Sequence, residues 1–129
     1  MAVTTSAPGL SVIGQIAMNV HDIARATRFY RDALGMRLLF EVSGMAFFDC
    51  GGVRLMLSPP ENAEFDHAGS VLYFRVDDIE HAHATFKERG VPFIDAPHLV
   101  AKMPDHELWM TFFKDSEGNT LALMAENRD

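Results

Sequence analysis

Hydrophobic and polar residues alternate along several short stretches of the chain, which is typical of β-strands with one buried face. In residues 13–20, one face carries Ile16, Met18 and Val20, and the other carries Gln15, Ala17 and Asn19. Further stretches that predict strands are 36–42, 45–50, 53–58, 71–76, 91–94, 98–101, 108–114 and 120–124. Glycine-containing turns at Ser43-Gly44 and Gly51-Gly52 separate the strands of the first half, as expected for hairpins.

Two stretches instead repeat their apolar residues every three or four positions, which predicts helices. Asp22 precedes the first stretch, and Asp77 or Asp78 precedes the second, where an aspartate side chain can cap the first turn. Gly35 and Gly90 lie where each helix should end, because glycine readily adopts the left-handed conformation of a C-terminal stop.

The two halves of the chain repeat each other. Val20, Asp22, Ile23, Ala26 and Tyr30 correspond at a constant offset to Val76, Asp78, Ile79, Ala82 and Phe86. The segment Asp49-Cys50-Gly51-Gly52 likewise corresponds to Asp115-Ser116-Glu117-Gly118. The repeat predicts an α+β fold in which two tandem βαβββ modules form a curved mixed sheet around a cavity.

The same pattern predicts the domain organisation. Residues 1–11 lack a long apolar core and are expected to form a flexible N-terminal arm. Residues 12–126 are expected to form a single domain, made of one module at 12–60 and a second at 70–126, with a polar linker between them.

Polar, small and aromatic residues occupy the strand face opposite the apolar one. If the sheet curves, this face lines a cavity with a few convergent polar groups, as ligand sites usually have. The candidate ligand-binding residues are Gln15, Asn19, Arg54, Met56, Tyr73 and Arg75. The alternatives are a solvated sheet face and an interface with another chain.

Composition restricts the partners. The chain has 129 residues and a formal net charge of -7, with 11 Lys and Arg against 18 Asp and Glu. Nucleic acid is not expected as a partner, because phosphate binding needs clustered basic residues. No apolar run reaches the roughly 20 residues that span a bilayer, so no membrane partner is expected. Cys50 is the only cysteine, which rules out an intramolecular disulfide and favours a structural thiol. The first residues lack the basic region and long apolar core of a signal peptide, so the protein is expected to be cytoplasmic.

Four short motifs resemble the vicinal oxygen chelate superfamily, which includes glyoxalase I, extradiol dioxygenases, fosfomycin-resistance enzymes and bleomycin-resistance proteins. They are residues 15–23, Arg28-Phe29-Tyr30, Leu34-Gly35-Met36 and the closing turn at 113–119. The resemblance covers about residues 12–126 and implies the tandem fold, a small-molecule ligand and a homodimer.

The resemblance also implies where a metal would bind in metal-dependent members, which take one ligand from each of four strands. Those positions fall on Gln15, Met56, Val71 and Ala122. Valine and alanine offer no donor atom, and a thioether is too soft for a hard divalent cation. The usual metal site is therefore expected to be absent, and no cofactor is expected.

Three functions remain open. The first is a metal-independent small-molecule binder similar to the bleomycin-resistance group, in which Arg54 and Arg75 favour a neutral or anionic ligand over a cationic one. The second is a lyase, isomerase or dioxygenase with a displaced metal or with acid–base residues, for which His98, His106 and Glu107 are the catalytic candidates. The third is a non-catalytic domain whose polar sheet face binds another protein.

Overall fold

The computed structural model of the protein describes residues 9–128. The strands are β1 Gln15–Asn19, β2 Arg37–Val42, β3 Met45–Cys50, β4 Val53–Ser58, β5 Leu72–Arg75, β6 His98–Lys102, β7 Glu107–Lys114 and β8 Thr120–Asn127. The helices are α1 Ile23–Arg28, which continues into a π-helical turn at Phe29–Ala33, and α2 Ile79–Glu88, with a short 3-10 turn at Ala63–Phe65.

The strands form two four-stranded mixed sheets, in the orders β1-β4-β3-β2 and β5-β8-β7-β6. We call them the first and the second sheet. In each, the first strand pairs in parallel with the last, and the remaining pairs are antiparallel. The predicted α+β class and the repeated strand order are therefore confirmed.

The segment predicted as a strand at 91–94 forms only a single bridge, between Phe93 and Phe113. Pro92 has no amide hydrogen to donate to a ladder. One residue beyond the segment, the Asp95 carboxylate accepts the amide hydrogen of Phe112 at 2.8 Å, so a side chain takes a bond that a strand would have made.

Both predicted helix caps are present. The Asp22 carboxylate accepts the amide hydrogen of Arg25 at 3.0 Å, and the Asp78 carboxylate accepts that of His81 at 3.1 Å. Gly35 and Gly90 have φ values of +72° and +91°, so each supplies the left-handed residue that ends its helix.

The apolar strand faces pack together with the helices in one core, as the alternation predicts. The core members from the inward strand face include Met18, Val20, Leu55, Leu57, Leu121 and Leu123, with Ile16, Leu72, Phe74 and Val76 partly buried against them. Tyr30 contributes the largest fully buried side chain. Burial at about 25 cal/mol per Å² of apolar surface makes this core the main source of stability.

A turn of the second half joins the first half of the chain through buried polar groups. The Tyr30 hydroxyl donates a 2.6 Å hydrogen bond to the carboxylate of Asp115, which is 4% exposed. Burial and the neighbouring Asp115 carboxylate raise the pKa of Tyr30, so the phenol remains a donor. Asp115 also accepts the amide hydrogens of Glu117 and Asn119, which fixes the shape of the turn.

The next carboxylate of this turn belongs to Glu117. This residue lies in the second half of the chain but caps α1, which lies in the first half. It accepts hydrogen bonds from the backbone amides of His21 at 2.6 Å and Asp22 at 3.1 Å. The Arg25 guanidinium donates to its second oxygen at 3.2 Å, and the Glu117 side chain is only 4% exposed. A negative charge at this helix terminus is stabilising, because the first backbone amides have no partner within the helix.

The predicted N-terminal arm falls mainly on residues 1–8, which lie outside the described residues. Of the remainder, Leu10 is fully exposed, and Val12 and Ile13 beyond it are also exposed. No helix in residues 9–128 is long and apolar enough to cross a membrane.

We expect Glu117→Gln to lower stability in a pH-dependent way. Burial alone would raise the pKa of Glu117, but the His21 and Asp22 amides and Arg25 lower it below its ordinary value of 4.5. A lowered folded-state pKa means that the ionised carboxylate stabilises the fold above about pH 4.5, and that this contribution disappears as the pH falls through the lowered pKa. The variant should lose about 1 kcal/mol at pH 7 in urea unfolding, and less in acid.

Glu64→Gln is the matched control, because Glu64 is exposed and its side chain makes no hydrogen bond within the described chain. It should change the unfolding free energy little at any pH. An equal loss in both variants, or a loss at Glu117 that is independent of pH, would contradict the capping role.

Candidate functional site

Three of the candidate site residues meet on the first sheet. The register places Gln15 opposite Arg54, and Met56 is two residues further along the same face of β4. Arg54 Nε donates to Gln15 Oε1 at 3.0 Å. Gln15 Nε2 in turn lies 3.8 Å from Met56 Sδ, so both ends of the amide are engaged and the carbonyl points at the arginine.

Two phenylalanines complete this group, and sequence reasoning missed both. The Phe40 and Phe47 rings are stacked at 4.6 Å between centroids and 25° between planes. Arg54 Cζ lies 5.6 Å from the centroid of the Phe47 ring, within cation–π range. We call Gln15, Phe40, Phe47, Arg54 and Met56 the Arg54 cluster.

The adjacent phenylalanines explain the omission. Phe47 and Phe48 are both apolar, so alternation alone does not say which of them faces the core. The Gly51-Gly52 hairpin decides which one does, because it aligns Cys50 with Val53 and therefore places Phe47 opposite Met56. Counting back from that turn could have placed Phe47 on the site face.

Asn19 lies on the same strand but supports the linker between the sheets. Its side-chain amide donates to the backbone carbonyl of Phe65 and lies 3.4 Å from that of His67. His21 adds a contact to the same linker, with Nε2 2.9 Å from Asp66 Oδ1. The linker is therefore held against the end of β1, and Asn19 is committed to that contact.

A second group of side chains lies on the second sheet. The Tyr73 ring meets the Phe112 ring edge to face, at 5.9 Å and 79°, and the His98 ring stacks on Phe112 at 6.4 Å and 29°. Ala122 lies opposite both Tyr73 and Phe112 in the register and is fully buried. We call Tyr73, His98, Phe112 and Ala122 the Tyr73 cluster.

Arg75 lies apart from both clusters. It lines an open polar cleft of about 240 Å³ at the end of β5, with Asp77, Glu126 and Arg128. The carboxylates of Asp77 and Glu126 line the same cleft. Strand alternation predicts that Arg75 lies on the same face as Tyr73. Because Arg75 is the last residue of β5, other side chains surround it.

No direct contact joins the two clusters within the described chain. Among residues 9–128, neither a side-chain hydrogen bond nor an aromatic contact joins the Arg54 cluster to the Tyr73 cluster. Phe40 and Tyr73 remain 44% and 47% exposed, so both faces are open to solvent. A ligand on either face would therefore gain from cover that the single chain does not provide.

A small apolar cleft of about 150 Å³ lies between β1, β4 and β5. It is lined by Ile16, Cys50, Val53, Leu55, Leu72, Tyr73 and Phe74. The Cys50 thiol is half-buried at its edge, and burial, with a smaller effect of Asp49, raises the pKa of that thiol. A raised pKa lowers the thiolate fraction at neutral pH, which fits a structural thiol better than a nucleophile.

The catalytic candidates are distributed along one hairpin. His98 begins β6 opposite Met110, whereas Glu107 is opposite Lys102 at the other end of that strand. His106 Nδ1 lies 2.7 Å from Asp105, and Glu107 accepts a 3.2 Å hydrogen bond from Trp109 Nε1. The register thus separates His98 from the other two by the length of β6.

The residues at the implied metal positions do not fit a divalent cation. The Gln15 carbonyl is already hydrogen-bonded to Arg54, whose permanent positive charge would repel a metal ion at that point. Val71 and Ala122 offer no donor atom. Within the described part of the chain, no group of three His, Cys, Asp or Glu side chains is arranged to hold a metal elsewhere.

Comparisons with known proteins agree with this fold. The family model described as the Glyoxalase/Bleomycin resistance protein/Dioxygenase superfamily matches residues 12–123. Metallothiol transferase FosB from Staphylococcus epidermidis is 31% identical over 116 residues, covering 86% of this chain and 81% of that protein. An uncharacterized protein, YraH from Bacillus subtilis, is 25% identical over 126 residues, covering 84% of this chain and 94% of that protein.

Solved structures give the same result. TnmS3, an antibiotic binding protein from Streptomyces, is similar with a TM-score of 0.74 and 25% identity, covering 94% of this chain and all (100%) of that one. A lactoylglutathione lyase from Agrobacterium tumefaciens is similar with a TM-score of 0.74 and 23% identity, covering 91% and 95% of the two chains.

We expect purified protein, after incubation with Mn²⁺, Ni²⁺ or Zn²⁺ and gel filtration, to retain far less than one ion per chain. The donor set and the adjacent Arg54 charge are the reasons. Elemental analysis by mass spectrometry is the measurement, with Gln15→Ala as the comparison. One ion per chain in the wild type, lost in Gln15→Ala, would contradict this prediction.

Proposed function

The chain belongs to the glyoxalase/bleomycin resistance protein/dioxygenase superfamily, and on this premise we propose that it binds a small organic molecule without a metal. The ligand would lie on the sheet faces that carry the Arg54 and Tyr73 clusters. Binding would sequester the molecule rather than transform it, because neither cluster contains a nucleophile next to a general base.

The Arg54 cluster is the observation that carries this proposal. It combines a guanidinium group, an amide and aromatic surface on an exposed sheet face. This is the composition of ligand sites, which are mostly apolar with a few oriented polar groups. The similarity to TnmS3, described as an antibiotic binding protein, supports a binding function on this fold.

The similarity to FosB favours a second candidate, a metal-dependent enzyme of the same superfamily with displaced ligands. Its name describes a metallothiol transferase, which implies a metal. Since Gln15 is engaged by Arg54 and the positions of Val71 and Ala122 offer no donor, we derive no metal-dependent step for this chain. The metal-binding experiment above separates the two candidates.

We further propose that the domain spans residues 12–126 as two modules, 12–60 and 70–126, and that it acts as a homodimer in the cytoplasm. Exposed apolar side chains on the outermost strand of each sheet support a second copy as partner. They are Leu39 and Val42 on β2 and Leu99 and Val100 on β6. The single thiol, Cys50, is consistent with a reducing compartment.

We expect the neutral fluorescent probe N-phenyl-1-naphthylamine to bind saturably to the wild-type protein, equally well with and without EDTA. Phe40→Ala and Tyr73→Ala should each weaken binding by about 3- to 10-fold, because each removes exposed aromatic contact area. A fluorescence titration measures this.

Ile94→Ala is the matched control, because Ile94 is an exposed apolar residue of a loop outside both clusters. It should leave the affinity for the probe unchanged. Loss of binding in EDTA would support the metal-dependent candidate. Absence of probe binding, with both faces protected from hydrogen exchange in the assembled protein, would instead support a protein interface.

Sedimentation velocity should show a species of twice the chain mass of 14.4 kDa. Val100→Asp should shift the protein towards the monomer, since it introduces a charge on the exposed outer strand of the second sheet. His81→Asp, on the exposed surface of α2, is the control and should sediment as the wild type does. A wild-type protein that is monomeric at micromolar concentration would contradict the proposed dimer.

A further inference from the structure

We propose that Arg54 is an oxyanion-binding residue, so that the ligand is an organic anion with an apolar body and a carboxylate, sulfonate or phosphonate group. This inference rests on the proposed binding function and specifies its ligand class. Two features carry it: the way in which neutral neighbours hold the guanidinium, and the absence of a carboxylate partner for it within the described chain.

The neighbours of Arg54 fix its orientation without neutralising it. Its Nε hydrogen is donated to Gln15 Oε1 at 3.0 Å, and its guanidinium lies over the Phe47 ring. Met56 holds the Gln15 amide from its other end. An amide, a thioether and a phenyl ring are all uncharged, so the full positive charge of the guanidinium remains available.

The terminal nitrogens of Arg54 have no hydrogen-bond partner among residues 9–128. With Nε occupied by Gln15, the two terminal nitrogens remain as a donor pair for a ligand. Their parallel hydrogens match the spacing of two oxygens of a carboxylate, sulfonate or phosphonate.

Three of the other seven arginines form ion pairs, whereas Arg28, Arg37, Arg75 and Arg89 form none within residues 9–128. Arg25 contacts Glu117 at 3.2 Å, Arg31 contacts Asp32 at 2.8 Å, and Arg128 contacts Glu126 at 3.1 Å. Arg54 has an aspartate directly opposite it in the register, yet no ion pair forms.

That aspartate, Asp49, is engaged locally. Its carboxylate accepts the amide hydrogen of Gly52 at 3.1 Å, which stabilises the hairpin turn between β3 and β4. A ligand oxyanion would therefore not have to displace a carboxylate already bound to Arg54. It would supply the negative charge that Asp49, engaged in the hairpin turn, does not provide to Arg54.

The surface beside Arg54 fits the rest of such a ligand. Phe47 is covered, with 8% of its surface exposed, whereas Phe40, stacked on it, is 44% exposed. An aromatic or aliphatic body attached to the oxyanion could therefore pack on Phe40 while its charged group contacts Arg54. Neither interaction requires a metal.

The test compares two probes that share one body. 1-Anilinonaphthalene-8-sulfonate is N-phenyl-1-naphthylamine with an added sulfonate, so the ratio of their dissociation constants isolates the contribution of the anion. We expect Arg54→Gln to weaken the sulfonate probe by about 10-fold or more, because hydrogen bonds between charged groups are lost. The neutral probe should bind Arg54→Gln within about twofold of the wild type.

Arg54→Lys should give an intermediate affinity for the sulfonate, because lysine keeps the positive charge but lacks the two parallel N–H donors of the guanidinium. Arg28→Gln is the control for net charge, since Arg28 is exposed on α1 and unpaired in the described chain; it should bind both probes as the wild type does. Arg75→Gln tests the other arginine of the predicted face and should also have little effect.

Each outcome bears on the inference. An unchanged sulfonate affinity in Arg54→Gln, or an equal loss for both probes, overturns it, as does a larger effect at Arg75. If Arg54→Gln does not fold, wild-type titrations at low and high NaCl decide: salt must weaken the sulfonate probe and leave the neutral probe unaffected. A wild type that binds neither probe refutes the proposed function itself, whereas neutral binding without preference for the sulfonate refutes only the oxyanion site.

Discussion

The relative position of the two sheets depends on the buried turn that carries Asp115 and Glu117. Each sheet forms its backbone pairs internally, so their alignment has to come from side chains and from the shared core. Tyr30 reaches Asp115 from the end of α1, and Glu117 holds the beginning of that helix. Because β1 leads directly into α1, the same contacts also position the strand that carries Gln15, and with it the Arg54 cluster.

The sequence predicted the elements that depend on local chemistry. The alternation, the caps at Asp22 and Asp78 and the turn at Gly51-Gly52 are properties of a few adjacent residues, and the structure contains these elements apart from the strand predicted at 91–94. Of the candidate site, strand alternation predicted that Gln15, Arg54 and Met56 share a face, whereas their contacts depend on the register of β1 against β4. Strand alternation could not show that the Asn19 side chain is hydrogen-bonded to the linker, or that Arg75 lies in a separate cleft.

The contributions that were missed are those between distant parts of the chain. Phe40 and Phe112 enter the site through registers that are set by bulges and long strands, which no local pattern encodes. The role of Glu117 was equally hidden, because a glutamate in a turn is normally solvated and only the packing of α1 against that turn buries it. The separation of His98 from His106 depends on the same kind of information, namely the register of β6 against β7.

The two halves differ at one position of their corresponding turns. The turn of the first half has Gly51 where that of the second half has Glu117, so α2 receives no corresponding carboxylate from the first sheet within residues 9–128. Within residues 9–128, a carboxylate of the second half therefore caps the helix of the first half, but no carboxylate of the first half caps α2 in return. During synthesis, the first half emerges from the ribosome before the residue that completes its helix has been made. The two repeated halves are thus unequal, because the later half supplies the carboxylate that completes the helix of the earlier half.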